Sequence, residues 1–449
     1  MEVTILSTQL IKPSSPTPQH LKIFKLSLLD QLMPCPYAPI ILFYDPIDHS
    51  DSASHPIPSR LEVLKSSLSN TLTRFYPLAG KIQDDLSIEC NDQGAYFVEA
   101  RVNCSLHEFL NQPDLLLLTK FFPCDFFTKE STAGTNVTNI QVSRFECGGI
   151  AIGVCISHKI LDGAALSTFL KAWTSTARGC EDAICPNFIA SSLFPTDDLW
   201  LRDTSLVMYG CLFKAGKSIT RRIIFGASSI AALKDQASSG LKCPTRVEVI
   251  SAFLWNCTMA ASKANYGFQK PSLLTHFVNL RTRMAQPMEN SIGNLLWIAT
   301  ARSKDHNNKS DLPDLVGQLR EAVSRVDGEY IKKLGDHEQG KSVMSETLRE
   351  IGDLVSKDGL DHFGFSSWCK FGFYEADFGW GKPVWVSSFG MENSVYMNLI
   401  ILNDTPSGDG IEAWVNLDEQ HMAILERNEQ LRKLAMFDPS PLSIISNLV

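Results

Sequence analysis

The segment Ser157-His158-Lys159-Ile160-Leu161-Asp162-Gly163 places an imidazole four residues ahead of a carboxylate. Histidine changes charge nearest neutral pH and is the commonest proton carrier in enzymes, so His158 is the first candidate for acid–base work. A bare His-x-x-x-Asp arises readily by chance in a chain with ten histidines, but here only His158 carries an aspartate at that spacing. The competing reading is a core histidine satisfied by a nearby carbonyl. A second string, Asp377-Phe378-Gly379-Trp380-Gly381-Lys382-Pro383, sets two glycines about a tryptophan and closes on a proline, which describes a tight, fixed loop. It offers no evident nucleophile and so reads as structural, a loop that keeps two domains in register. The third candidate is Arg281, in Asn279-Leu280-Arg281-Thr282-Arg283 at the end of an apolar strand. Its two readings are a surface arginine pair and a buried arginine facing a carboxylate.

Other chemistries lose their usual support. Gly210–Ser218 resembles a phosphate loop, but five residues separate Gly210 from Gly216 where four are required. The chain has no His-Glu-x-x-His, no Gly-x-Ser-x-Gly elbow and no Gly-x-Gly-x-x-Gly fingerprint. No metal site is expected.

Positioning these residues requires a strand that hands over to a helix. Residues 150–156 are almost wholly apolar, as in a strand buried on both faces, and the pattern turns helical from Asp162, with Ala165, Phe169, Ala172 and Trp173 on one stripe. Upstream, 38–44 reads as a buried strand and 60–75 as an amphipathic helix, with Leu61, Leu64, Leu68 and Leu72 on one face. Ser87–Cys90 and Ala95–Glu99 are expected to form a hairpin about Asn91–Gly94. The alternating run 137–145 turns at Gly148-Gly149 into the apolar strand. Residues 178–220 lose clear periodicity and read as an interdomain linker. Strands are then expected at Arg221–Phe225, His276–Leu280, Val384–Phe389, Val395–Leu402 and Ile411–Asn416, and helices at Ser228–Ala237, Val247–Ala261, Leu312–Leu334 and Asp418–Leu434.

The 449 residues suit two domains, and 44% hydrophobic with 20% charged residues suits globular packing. A net charge of −8 supplies no basic excess to displace phosphate counterions, so nucleic acid is not an expected partner. The twelve cysteines form no C-x-x-C pair and read as buried thiols. No signal-peptide core or membrane span is evident, which points to a reduced, cytoplasmic setting with no membrane partner.

Together these segments resemble the BAHD acyltransferases, a coenzyme A-dependent family of plant specialised metabolism. The similarity runs through His158–Gly163 and Asp377–Pro383. It includes KPSSPTPQHLK at Lys12–Lys22, FYPLAGK at Phe75–Lys81, FECGGIAIGVCI at Phe145–Ile156 and Asn279–Arg281. It continues through SSWCKFGFY at Ser366–Tyr374 and SGDGIEAW at Ser407–Trp414. Its finer likeness is to the vinorine synthase-like branch of alkaloid O-acetyltransferases. Departures are Lys81 and Lys370, where many members carry arginine, and Ser291-Ile292-Gly293-Asn294, which only partly matches the family's Tyr-Phe-Gly-Asn.

The resemblance implies an α/β fold of two chloramphenicol-acetyltransferase-like domains, with mixed sheets flanked by helices and a channel between them. Residues 1–177 would carry the histidine motif, 178–220 would link, and 221–449 would carry the Asp-Phe-Gly-Trp-Gly loop. It implies His158 as general base, Asp162 and Arg281 as a pair bracing its loop, and the Trp368 indole as a donor to the oxyanion. Asp377, with Phe378, Gly379, Trp380 and Gly381, is implied to be structural, although that aspartate is sometimes listed as catalytic in the family. No resident cofactor is implied. Acetyl-coenzyme A or another acyl-coenzyme A would be the donor, and a small-molecule alcohol, an alkaloid or terpenoid of polycyclic shape, the acceptor. The resemblance further implies a monomer. An amine acceptor, or a non-catalytic binder on the same scaffold, is the alternative reading of the sequence.

Overall fold

The structure is a computed structural model. It describes residues 1–33, 37–46, 59–124, 133–181, 184–196, 198–238, 243–286, 288–303, 311–336, 338–357, 359–388 and 395–446. Two large mixed sheets dominate. The first has six strands in the order Val3–Ile11, Ala95–Val102, Thr138–Phe145, Ile150–Ser157, Tyr37–Tyr44 and Trp385–Ser387. All its pairings are antiparallel except Ala95–Val102 with Thr138–Phe145. The second has seven, in the order Leu296–Ser303, Ser272–Asn279, Asp361–Ser367, Leu399–Asp404, Ile411–Asp418, Ser218–Phe225 and Met436–Phe437. In it Asp361–Ser367 runs parallel to both neighbours. The expected α/β fold with mixed sheets and flanking helices is observed.

Local chemistry sets the elements around the histidine. Thr138–Phe145 and Ile150–Ser157 pair as the expected hairpin, and every residue of the latter is buried. The helix Gly163–Ala177 is capped by the Asp162 carboxylate, whose Oδ1 accepts from Ala165 N at 2.9 Å. It packs on the helix Arg60–Arg74, which opens with a Ser59–Glu62 capping box and buries Leu64, Leu68 and Leu72. The two helices are tied where the Trp173 indole donates to Ser67 Oγ at 3.0 Å.

Three apolar clusters hold the layers. One lies between the first sheet and its helices, one within the second half, and a third joins Ile41, Phe43 and Cys155 of the first sheet to Ile401 and Trp414 of the second. The halves interlock: Leu28, Leu29 and Leu32 enter the second core, while Phe373, Tyr374 and Phe378 enter the first. The strand Trp385–Ser387 crosses as well, pairing with Ile41–Phe43, and Trp385 stacks on Phe43 with centroids 5.2 Å apart.

Several expectations change. Ser87–Glu89 and Ala95–Val102 do not form a hairpin. The former joins Ile23–Lys25 and Lys81–Ile82 in a small sheet, and the latter pairs with Val3–Ile11. The Asp92 carboxylate accepts from Thr17 N at 3.0 Å and from Lys22 Nζ at 2.5 Å, so the turn folds onto the N-terminal segment. The single helix expected over Leu312–Leu334 is two, Leu312–Ser324 and Gly328–Gly335, because Asp327 leaves helical geometry to cap the second. Asp418–Leu434 divides likewise, with Asn428 capping Glu429–Leu434. Val395–Leu402 is two strands, since Val395–Tyr396 pairs with Lys214–Ala215. Trp385–Ser387 occupies the strand expected over Val384–Phe389, whose Phe389 lies outside the described residues. Within 178–220 a helix forms over Trp200–Leu212, its apolar positions packed on the helix Gln339–Ser356. The thiols are less buried than expected: Cys90, Cys155, Cys257 and Cys369 are buried, but Cys147, Cys180, Cys185 and Cys243 sit exposed in turns and loops, and Cys35 lies outside the described residues.

Among the described residues no helix is long and apolar enough to cross a membrane.

Candidate active site

His158 follows directly on the strand Ile150–Ser157, as expected, and is half-buried. Its Nδ1 lies 2.9 Å from Asn294 Oδ1. The Asn294 amide nitrogen donates in turn to the His158 carbonyl at 2.6 Å and to Asp30 Oδ1 at 2.9 Å. The His158 carbonyl has no proton to give, so the amide can sit only one way round. Its oxygen faces the ring, and Nδ1 must carry the hydrogen. Nε2 has no hydrogen-bond partner among the described residues and keeps its lone pair. Burial pushes the imidazole pKa below its ordinary value, opposed by the carboxylates of Asp162 and Asp30, which leaves the ring neutral at pH 7.

Asp162 and Arg281 meet, and the arginine is buried rather than at the surface. Arg281 Nη1 donates to Asp162 Oδ2 at 2.7 Å, with side-chain exposures of 8% and 4%. Most of the remaining guanidinium fork goes to backbone, Nη2 donating to Ser291 O at 3.0 Å and to Gly293 O at 2.9 Å, while Nη1 also reaches Asn279 Oδ1 at 3.4 Å. Arg281 therefore clamps the segment that ends in Asn294 against the histidine loop, and a bridge between Leu161 and Gly293 closes the same seam. Gly293, at φ +131°, is needed here, since a Cβ would stand 2.7 Å from the Ala190 methyl.

Trp368 arrives from the loop after Asp361–Ser367. A Cβ on Gly163 would lie 3.2 Å from its indole nitrogen, so the N–H edge rests on the first residue of the helix that follows the histidine loop. Beside it opens a cleft of about 120 Å³, lined by Trp368, Phe373, Asn403, Thr405 and Ser407 among others. Asn403 is 4% exposed, and among the described residues neither its amide nitrogen nor its oxygen has a hydrogen-bond partner.

The Asp377 loop is built differently. Asp377 Oδ1 accepts from the loop's own amides, Gly379 N at 2.7 Å and Gly381 N at 3.0 Å, and both glycines have positive φ, +106° and +99°. Phe378 is buried edge-on against Trp173 with centroids 4.9 Å apart, and Trp380 lies beneath the Arg60 guanidinium. Tyr44 donates to Ala376 O at 2.6 Å. The loop thus docks on the first half of the chain, and the carboxylate of Asp377 is committed to holding it closed.

Sequence reasoning missed two residues of the histidine's surroundings. Asn294 stood out only as the end of a segment that partly matches the family's Tyr-Phe-Gly-Asn, and Asp30 was not singled out at all. The available signal was Ser27-x-x-Asp30, a polar pair inside an otherwise apolar stretch.

Two mixed sheets meeting at a histidine loop, braced by a buried ion pair that spans both halves, define a two-sheet α/β transferase scaffold. The Transferase family model matches residues 1–432, and the chain belongs to this family, the BAHD acyltransferases. It is 44% identical to limonoid 7-O-acetyltransferase of Citrus sinensis, over 98% of this chain and 100% of that protein. It is 38% identical to vinorine synthase of Rauvolfia serpentina, over 94% and 95%. The crystal structure of vinorine synthase superposes with a TM-score of 0.79, covering 96% of this chain and 98% of that one. TRI101 of F. sporotrichioides, solved with coenzyme A and T-2, shares the fold at 17% identity, with a TM-score of 0.71 over 93% of this chain and 99% of that one.

Proposed function

We propose that this protein moves an acetyl group from acetyl-coenzyme A to a hydroxyl of a polycyclic specialised metabolite, with His158 as general base. The observation that carries the reading is the imidazole geometry: Nδ1–H is tied to Asn294 while Nε2 is free. A thioester is already activated and an alcohol is not, so what the reaction lacks is proton removal at the moment of attack. Nε2 takes the O–H proton as the acceptor oxygen bonds to the thioester carbonyl carbon. The resulting oxyanion accepts a hydrogen bond from the Trp368 indole N–H. When the C–S bond breaks, the thiolate takes the proton back from Nε2. No acyl-enzyme forms, so donor and acceptor are held together. Asp162 and Arg281 brace the histidine loop, and the Asp377 loop holds the halves in register; both act through structure. Residues 1–177 and 221–449 serve as the two domains, with 178–220 between them.

The alkaloid and limonoid O-acetyltransferases among the relatives support an alcohol acceptor, and the higher identity to the limonoid enzyme, 44% against 38% for vinorine synthase, favours a terpenoid. Purified protein incubated with acetyl-coenzyme A and pooled polycyclic alcohols, with matched amines, is the test. Mass spectrometry should find an O-acetyl product. Preferred acetylation of the amines would refute the alcohol reading, and absence of thioester-dependent turnover across a broad panel would refute the enzyme.

A further inference from the structure

Asp30 is a carboxylate 1% exposed, in the turn Asp30–Leu32 that carries the first half of the chain into the second core. Its two oxygens are fully engaged. Oδ2 accepts from Ser27 N at 2.8 Å and from Ser27 Oγ at 2.6 Å. Oδ1 accepts from Asn294 N at 2.6 Å and from Asn294 Nδ2 at 2.9 Å. Four donors converge on it. Burial raises the pKa of this carboxyl, and the hydrogen bonds from Ser27 and Asn294 oppose that rise, since the ionised form accepts from all four donors. Asn294 is wholly buried, and its amide cannot exchange these partners for water.

We propose that Asp30 is a positioning residue for acyl transfer: through Asn294 it holds His158 with the hydrogen on Nδ1 and the lone pair on Nε2. Asn294 Nδ2 is drawn to two acceptors, the His158 carbonyl and Asp30, and Asp30 alone also holds the Asn294 main chain. Without that carboxylate the amide keeps one side-chain tether. Its oxygen then no longer has a fixed aim at Nδ1, and the ring regains access to the tautomer with hydrogen on Nε2, the wrong form for a base. The other charges near the ring are Asp162 on its own loop and Arg281, which is neutralised by Asp162. Asp30, when ionised, therefore adds a negative charge on this side of the imidazole that no ion pair among the described residues neutralises. Burial lowers the ring's pKa, so the neutral form whose tautomer matters is the one present at pH 7.

The inference rests on His158 as general base, but its test needs no substrate. The full chain, labelled with ¹⁵N-histidine, is titrated by NMR, with His158 assigned by its loss in His158→Gln. In the wild type His158 should carry its proton on Nδ1 in the neutral form. In Asp30→Asn that population should fall and the ring should titrate at lower pH. Turnover at saturating acetyl-coenzyme A should drop about 10²-fold, short of the ~10⁴-fold loss expected of a wholly wrong tautomer. In a His158→Ala background the same change should cost nothing further. A wild-type His158 protonated on Nε2 overturns the proposal without any variant, which matters if Asp30→Asn folds poorly. An Asp30→Asn protein with unchanged tautomer and titration overturns it as well. Undiminished turnover in His158→Ala would instead sink the general-base reading and leave the NMR result standing.

Discussion

Asp162→Asn separates bracing from chemistry. The carboxylate has two tasks, capping the helix Gly163–Ala177 through Oδ1 and pairing with Arg281 through Oδ2 at 2.7 Å. Asparagine caps helices as well as aspartate does, so the first task survives. The second does not: an amide N–H₂ or a neutral oxygen now faces a guanidinium 8% exposed that cannot reach water. Breaking a buried pair by removing one partner costs about 3–5 kcal/mol. Arg281 keeps its carbonyl contacts at Ser291 and Gly293, which sets the expectation near the lower end, about 3 kcal/mol. At roughly 2–4 °C per kcal/mol for domains of this size, calorimetry should record a melting temperature lower by about 6–12 °C. Turnover should fall too, because the same arginine aligns Asn294 with the ring. Replacing both members, as in Asp162→Asn with Arg281→Met, should recover part of the lost stability, since the stranded charge is gone. An Asp162→Asn enzyme with unchanged melting and no turnover would refute this account and give the carboxylate a direct part in catalysis.

Other changes probe the rest of the site. His158→Ala should lower the chemical step by about 10²–10⁴-fold in single-turnover assays, and near-normal rates would remove it from the mechanism. Trp368→Phe should keep the packing on Gly163 but lose the N–H, costing about 10²–10³-fold in turnover with donor affinity retained; a loss confined to KM would make Trp368 a binding residue. Asp377→Ala frees two loop amides and should yield poorly folded protein, whereas a well-folded, inactive variant with normal ligand binding would contradict a structural role. Acid should destabilise the fold through its buried histidines. His362, pushed down to about 3 by burial and the Lys214 charge, stays neutral when folded while the unfolded chain takes up a proton below about pH 6.5. Stability is therefore present above pH 6.5 and lost on acidification, by about 1.4 kcal/mol per pH unit for this residue down to pH 3. Urea unfolding at pH 7 and pH 5 should show a shallower pH dependence in His362→Gln.

What the sequence disclosed depended on how local the determining contacts are. The strand-to-helix handover at His158 was legible because an apolar run, a capping aspartate and a helical stripe are all encoded within residues 150–173. The pairing of Asp162 with Arg281 came only through family resemblance, because 119 residues separate them and nothing local joins them. The contact between Asn294 and Asp30, 264 residues apart, was invisible for the same reason. The failed hairpin at Asn91–Gly94 teaches the converse. Asp92 and Gly94 do take positive φ, but the segment forms no hairpin turn; the tether from Asp92 to Thr17 and Lys22 decides where it goes, and that is a long-range fact. The split of Leu312–Leu334 was within reach, since Asp327-Gly328 is itself a helix-start signal.

The strand Trp385–Ser387 also bears on how the chain is made. During synthesis the first five strands of the six-stranded sheet leave the ribosome long before their sixth, and until residue 387 emerges the strand Tyr37–Tyr44, buried throughout in the finished protein, has one bare edge. An unpaired apolar edge recruits other strands, so a nascent or truncated first half should aggregate or be held by chaperones. In the mature protein the same late strand acts as a stitch. The two halves cannot swing apart without unzipping its pairing to Ile41–Phe43, and entry and exit of reactants must be managed by loops and side chains rather than by opening the molecule.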